Sequence, residues 1–351
     1  MYNLERLMSK PFAMLGMVFA PLSLPFERRM QTVGMLNVIF FMMHGYSIAF
    51  ILLNIYLLFF TSYWWLTVAY AAWYVYDYDT PETGGRKIEY CFMRRWPMWP
   101  LFASYFPMKL VRTHSLDPEK SYLLGYHPHG VLGYGAIAAF ATDALKFSEA
   151  FPGLTARLIT LRLNFLVPGG RELGLFSGMC SSSKQSLGSI LRPNGNAAVL
   201  VVGGATESLN CGDKHKVKLY LIRRKGFVKL ALQHGRELVP VFGFGENEIY
   251  EQVDNPEGSR VRKFQEWLKG VTTFTLPLFH GRGIFQYTYG LVPYRKPVTV
   301  VVGSPIPMPK IENPTNEEVQ EYHTKYMAAL QKLYNEYNPK YGNPDIELAI
   351  G

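Results

Sequence analysis

The chain predicts an α/β domain built on a mixed, largely parallel sheet, preceded by an N-terminal transmembrane helical hairpin. Three observations carry this expectation. From about Trp96 onward short apolar runs alternate with amphipathic stretches, the strand–helix–strand order that builds parallel sheets. Between Met30 and Tyr76 there is no Asp, Glu, Lys or Arg. Aromatic residues make up 15% of the chain, a share that suits contact with a membrane interface.

The uncharged stretch is too long for one helix in a bilayer. At ~1.5 Å per residue it would reach roughly 70 Å, against a hydrocarbon core of ~30 Å. Two spans with a turn fit, over 34–58 and 64–78, the second short or tilted. The break is expected at Thr61-Ser62-Tyr63-Trp64-Trp65, which is polar and aromatic as an interface requires. Arg28 and Arg29 precede the hairpin, and Arg86, Lys87, Arg94 and Arg95 follow it. The positive-inside rule then puts both ends in the cytosol. The rival reading, a pair of soluble core helices, is weakened because such helices normally show a charged face. Residues 11–26 form a shorter apolar run broken by Pro11, Pro21 and Pro25, which reads as an interfacial segment or a wall of a lipid site. A cleaved signal peptide fits poorly, because Glu-Arg-Arg follows directly and no small-x-small site is present. The chain thus divides into a cytosolic or interfacial segment 1–29, a two-pass hairpin 30–80, a cytosol-facing domain 96–340 and a tail 341–351. The chain from Pro339 on is expected to be loosely held.

Within the domain, strands are predicted over 121–126, 197–202, 238–242 and 297–302. Helices are predicted over 135–149, 225–234, 257–269 and 315–336. The last opens on Thr315 with Glu318 three places on, a capping box. The net charge of +9 favours anionic partners: lipid headgroups, a phosphorylated ligand or nucleic acid. Nucleic acid is disfavoured, because the charge is dispersed and the N-terminal third is too apolar. Cys91, Cys180 and Cys211 form no C-x-x-C pair, which reads as a reduced, cytosol-facing chain without a Cys-based zinc module.

The chemistry concentrates at strand ends. Tyr126-His127-Pro128-His129-Gly130 follows an apolar strand and precedes a helical stretch, the place where α/β folds put their sites. Residues two apart in an extended stretch share a face, so both imidazoles are expected to point the same way. Three readings compete: a general base, since imidazole titrates near neutrality; a metal pair, for which no grouped third and fourth ligands are evident; or helix capping. Four further segments repeat the pattern: Val201-Val202-Gly203-Gly204-Ala205-Thr206-Glu207-Ser208, Arg224-Lys225-Gly226, Gly243-Phe244-Gly245-Glu246-Asn247 and Phe279-His280-Gly281-Arg282-Gly283. Each alone is weak. Five together are hard to ascribe to loop chemistry.

With GLVPYRKP at 290–297 added, these segments resemble the type-2 diacylglycerol acyltransferase family, which includes monoacylglycerol and wax-alcohol acyltransferases. The resemblance runs from the hairpin to about residue 340. It implies a glycerolipid acyltransferase-like fold and transfer of a fatty acyl group from acyl-CoA, as co-substrate, to a neutral-lipid alcohol. Diacylglycerol is the foremost acceptor, and monoacylglycerol or a fatty alcohol are alternatives. It implies His129 as base supported by His127, with Pro128, Gly130, Gly203, Gly204, Arg224, Lys225, Gly226, Glu246, Asn247, His280 and Arg282 around the substrates. Neither a cofactor nor a metal is implied. The expected location is the endoplasmic reticulum membrane, with lipid droplets beside it. The sequence leaves oligomeric state open, a homo-oligomer included. More distantly, the motif order resembles the acyltransferases with an His-x4-Asp motif, but the Asp is missing: Leu132 and Tyr134 stand at the corresponding places. Glu207 is the first candidate to replace it and Glu246 the second. Cys180-Ser181-Ser182-Ser183 also departs from the family's usual Cys-Pro-Val-Ser, which touches acceptor preference. The rival classes are a lipid hydrolase, which lacks a Gly-x-Ser-x-Gly elbow here, and a non-catalytic lipid-droplet scaffold.

Overall fold

The computed structural model describes residues 12–351 apart from 15, 22, 214, 254, 257, 273, 274 and 276. Residues 1–11, which begin the expected N-terminal segment, lie outside it. Numbering all strands in chain order, β1 (Phe12–Met14) and β2 (Met17–Phe19) form a small antiparallel hairpin where an interfacial segment was expected. The seven-stranded sheet is built from β3 (Lys109–Arg112), β4 (Tyr122–His127), β5 (Thr155–Thr160), β6 (Cys180–Ser181), β7 (Asn196–Val201), β9 (Glu237–Phe244) and β12 (Thr299–Val302), in the order β3-β12-β9-β4-β7-β5-β6. Strands β9, β4, β7, β5 and β6 run parallel, and β12 with β3 runs against them at one edge. The sheet is therefore mixed and largely parallel.

Both faces are covered, so the central strands are apolar throughout, and β4 is buried along its whole length. Its side chains still alternate. Leu123 packs with Tyr326 and Leu330 of the Asn316–Tyr341 helix and with Phe227 and Val228 of the Gly226–His234 helix. Tyr122, Leu124 and Tyr126 join Phe140, Phe147 and Phe151 on the other face. The expected strands appear within two residues of their predicted bounds, β3, β5 and β6 being additional.

Three expectations are corrected. The helix predicted over 135–149 is a short helix from Tyr134 running into a wide turn at Ile137–Ala141, followed by a separate Phe147–Ala150 turn. Buried Arg94 explains the stop: its Nη1 donates to the Phe140 carbonyl at 3.0 Å, and its own carbonyl accepts from Asp143 N at 2.9 Å. The tail is not loose. Its helix continues through Pro339 to Tyr341, and β13 (Glu347–Ile350) pairs in parallel with β8 (Lys216–Leu219). The expected span 34–58 is broken. Helices Phe26–Met42 and Gly45–Phe60 meet at 66°, with His44 left-handed between them.

Gly34 explains where the first of these helices goes. A Cβ there would stand 2.7 Å from Cβ of Leu101, so the helix lies directly on Met98–Tyr105 with Met35 and Val38 buried. The second break falls where expected, between Phe60 and Trp64. Helix Trp64–Tyr76 folds back on Gly45–Phe60, with the Phe50 and Tyr70 rings edge-to-face at 4.8 Å, and none of its residues is buried. Asp77 ties its end to the domain through Arg171 and Arg86, each at 2.8 Å. Among the described residues no single helix is long and apolar enough to cross a membrane; the bent pair has the length and composition.

Candidate active site

Parallel strands end together, so the loops after β9, β4 and β7, neighbours in the sheet, meet at one edge. The loop after β4 carries His129, the loop after β7 carries Glu207 and the loop after β9 carries Glu246.

The two histidines part company. Strand alternation sends His127 to the face of the Asn316–Tyr341 helix, where it is fully buried and its Nε2 meets Tyr326 Oη at 3.0 Å. The Tyr326 hydroxyl donates to the Gly125 carbonyl at 3.1 Å. Its single proton thus spent, it accepts from His127, whose Nε2 carries the hydrogen. Burial lowers the His127 pKa to about 3, so this imidazole is neutral and structural in its surroundings. The strand ends at His127, so the two-residue alternation does not extend to His129, and the imidazoles do not share partners.

His129 is partly exposed. Its Nδ1 lies 3.0 Å from the Gly130 carbonyl, which can only accept, so Nδ1 bears the hydrogen and Nε2 the lone pair. Among the described residues Nε2 has no hydrogen-bond partner, and it is not sealed in. Burial lowers this pKa below the usual histidine range, and the Gly130 carbonyl works against the shift.

Among the described residues Glu207 is hydrogen-bonded to neither ring. Its Oε2 accepts from the backbone N of His129 at 3.0 Å, and its Oε1 from the backbone N of Tyr220 at 3.1 Å. Burial raises its pKa to about 7 against these bonds and the nearby Arg224 charge. The carboxylate folds back over Gly203, where any Cβ would run into it. Gly204 follows with φ of +56° and open space around it. The acid thus fixes the backbone on which His129 stands, and the group holding the ring is the adjacent carbonyl.

Glu246 is fully buried on the other side of β4. Its Oε2 accepts from Tyr126 Oη and from Gly135 N, both at 2.9 Å, while Oε1 has no partner among the described residues. Burial raises its pKa to about 7. Gly130, at φ of +60°, is needed twice, because a Cβ would also stand 2.7 Å from Glu246 Cγ. A cavity of about 480 Å³ opens on this side, lined among others by Pro128, Glu246, Asn247, Tyr250 and Lys296.

Of the remaining predicted residues, Arg224 and Lys225 lie on the loop after Tyr220 and Gly226 opens the following helix, all toward solvent, with the Arg224 charge near Glu207. His280 pairs across β10 (Glu251–Gln252) and β11 (Phe279–His280), 3.7 Å from Glu251. Arg282 is buried between the Tyr105 and Tyr287 rings, with Nε donating to Tyr105 Oη at 2.9 Å. Neither shares a partner with His129. Tyr326 is the residue sequence reasoning missed, since a tyrosine inside an amphipathic helix two hundred places away carries no signal. Among the described residues no three His, Cys, Asp or Glu side chains converge to hold a metal ion.

A family model described as diacylglycerol acyltransferase matches residues 56–351. Bovine 2-acylglycerol O-acyltransferase 1 is 47% identical over 95% of this chain and 98% of its own. Human diacylglycerol O-acyltransferase 2 is 44% identical over 92% of this chain and 82% of its own. The crystal structure of a 1-acyl-sn-glycerophosphate (LPA) acyltransferase from Thermotoga maritima aligns with 88% of this chain and 97% of its own, at 11% identity and a TM-score of 0.38. The sequence relatives make the protein an acyltransferase. It belongs to the diacylglycerol acyltransferase family.

Proposed function

We propose that the protein esterifies an acylglycerol, diacylglycerol or monoacylglycerol, with the acyl group of a fatty acyl-CoA, and that His129 is the general base. The observation that carries this reading is the His129 ring: Nδ1 is held by the Gly130 carbonyl, which leaves the lone pair on Nε2, unpartnered among the described residues. Nε2 takes the proton of the acceptor hydroxyl as its oxygen bonds to the thioester carbonyl carbon. The carbon–sulfur bond then breaks, and the imidazolium returns the proton to the coenzyme A thiolate. The open backbone at Gly204 is the better candidate for the oxyanion donors, since Gly130 is closed against Glu246. The coenzyme A phosphates suit Arg224 and Lys225, with Arg223 and Lys229 exposed beside them.

The apolar hairpin enters the endoplasmic reticulum bilayer from the cytosolic side and returns to it, leaving the domain and both termini cytosolic. Its helices of 16 and 13 residues are about 24 and 20 Å long, shorter than a ~30 Å core. Exposed Leu52, Phe59, Phe60, Trp64 and Trp65 favour lipid around them. Acyl-CoA transfer assayed in membranes, with monoacylglycerol, diacylglycerol and fatty alcohol in competition, tests the substrate reading. His129→Ala is expected to lower the rate by about 10²-fold or more in properly inserted protein. Full activity in that variant would remove His129 as base.

A further inference from the structure

The helix Arg260–Thr272 faces the opposite way from a helix in water. On a 3.6-residue wheel Val261, Phe264, Trp267, Leu268 and Val271 fall on one side, the side a soluble protein turns to its core. Here Phe264 is 57% exposed, Trp267 61% and Val271 67%. The polar side is turned inward instead: Arg262 is 6% exposed and Gln265 2%.

This orientation is fixed by specific bonds. Arg262 Nε donates to Glu266 at 2.9 Å, and Nη1 donates to Asn210 Oδ1 at 3.0 Å. Gln265 accepts from Asn255. At the base of the excursion Val253 N donates to the Leu278 carbonyl at 2.9 Å, and both side chains are exposed. The Arg262–Asn210 and Asn255–Gln265 bonds would have to be broken to roll the apolar side inward, so the outward apolar face is a built feature.

The charges around that face select its partner. Lys263 is exposed on its border and Arg260 at its N-terminal end, while the helix's one acid, Glu266, is bound to Arg262. An apolar stripe containing Trp, beside exposed cations that have no ion-pair partner among the described residues, matches the interfacial zone of an anionic phospholipid leaflet. We infer that helix 260–272 is a second membrane-contact element, with Val261, Phe264, Trp267 and Val271 below the headgroups and Arg260 and Lys263 against their phosphates. Arg262 bonds directly to the segment after the Gly204–Ser208 helix, so this contact holds the Glu207 side of the site at the leaflet surface. The inference rests on the proposed membrane placement and not on the acyl-transfer chemistry.

The test uses the full chain reconstituted in phosphatidylcholine vesicles with and without phosphatidylglycerol. The three native cysteines are buried, so Phe264→Cys, Trp267→Cys and, as an aqueous control, Glu336→Cys can each carry an environment-sensitive fluorophore. Labels at 264 and 267 are expected to lose about half or more of their emission to a shallow acyl-chain nitroxide and to resist iodide, with the reverse at 336. Adding Lys263→Glu is expected to weaken the nitroxide quenching in the anionic vesicles and leave it unchanged in the zwitterionic ones. Labels quenched by iodide as at 336 would mean that the face meets water. Labels shielded from both quenchers would mean that a second copy or another protein covers it. Either result overturns the inference, and neither readout depends on activity.

Discussion

Two buried carboxylates flank the His-Pro-His-Gly segment, Glu207 beyond β7 and Glu246 beyond β9, on either side of β4. Burial pushes both to about 7. Their hydrogen bonds differ. Glu207 gives each oxygen to a backbone N–H, so a proton on either oxygen weakens that oxygen as an acceptor for its donor. Glu246 gives one oxygen to two donors and leaves the other unpartnered among the described residues, so it can carry a proton on Oε1 and lose no bond. Equal burial therefore imposes different requirements: Glu207 needs its charge to keep the His129 backbone in place, and Glu246 needs only its shape and one acceptor.

The largest effect should come from displacing Glu207. Gly203→Ala puts a methyl group where the carboxylate lies, and Glu207→Ala removes its acceptors from two N–H groups. Both are expected to lower acyl transfer by about 10²-fold, the scale of a 1 Å misplacement of a catalytic group. Gly204→Ala is the control. It strains a backbone at φ of +56° by about 1 kcal/mol but meets nothing, so its loss should be much smaller. Rates measured at matched membrane protein levels decide. A Gly204→Ala variant worse than Gly203→Ala would break the comparison.

Much of this site was legible in the sequence, and the limits are physical. Strand ends announce themselves: an apolar run that stops at Gly, His or Glu places those residues on the functional edge, and the order of the parallel strands brings three such ends together. The sequence does not encode which atom of Glu207 meets which atom of His129. An acid that orients a histidine ring does so side chain to side chain, whereas this ring is held by the carbonyl one residue on. Tyr326 and the paired tail depend on packing between distant segments, which no local period records. The hairpin's first break escaped notice because His44 is uncharged and sits inside an apolar run. Hydropathy measures what a segment avoids and says nothing of where its backbone turns.

An intermediate effect should appear in the pH dependence. Burial lowers the pKa of His129, so an acid limb near pH 7 should belong to Glu207. As pH falls through about 7 the acid takes up a proton and its grip on the two N–H groups weakens. kcat/KM should fall below that pH in the wild type, by up to about tenfold per unit. Glu207→Gln, with nothing to titrate there, should be slower and should lose the limb near pH 7. A wild-type profile flat to about pH 6 would show that the charge of Glu207 is not what holds the site.

The smallest effect on catalysis should come from Glu246→Gln, and its stability should move the other way. The amide oxygen can keep both the Tyr126 and Gly135 bonds, so activity should stay within about threefold of wild type, while the new NH2 meets no acceptor among the described residues and costs about 1–3 kcal/mol of stability at every pH. A carboxyl whose folded pKa is raised makes the folded state bind the proton more tightly than the unfolded chain. Its stabilising contribution is full below about 4.5, declines as pH rises and is lost above about 7. Glutamine carries no such slope. Thermal unfolding of the two proteins, compared at successive pH values, should therefore show the variant gaining on wild type as pH rises, by up to about 3 kcal/mol. Glu207 titrates in both proteins, so its own slope cancels in the difference. A variant that loses ground as pH rises would mean that Glu246 is held as an anion, and the two acids would then be alike.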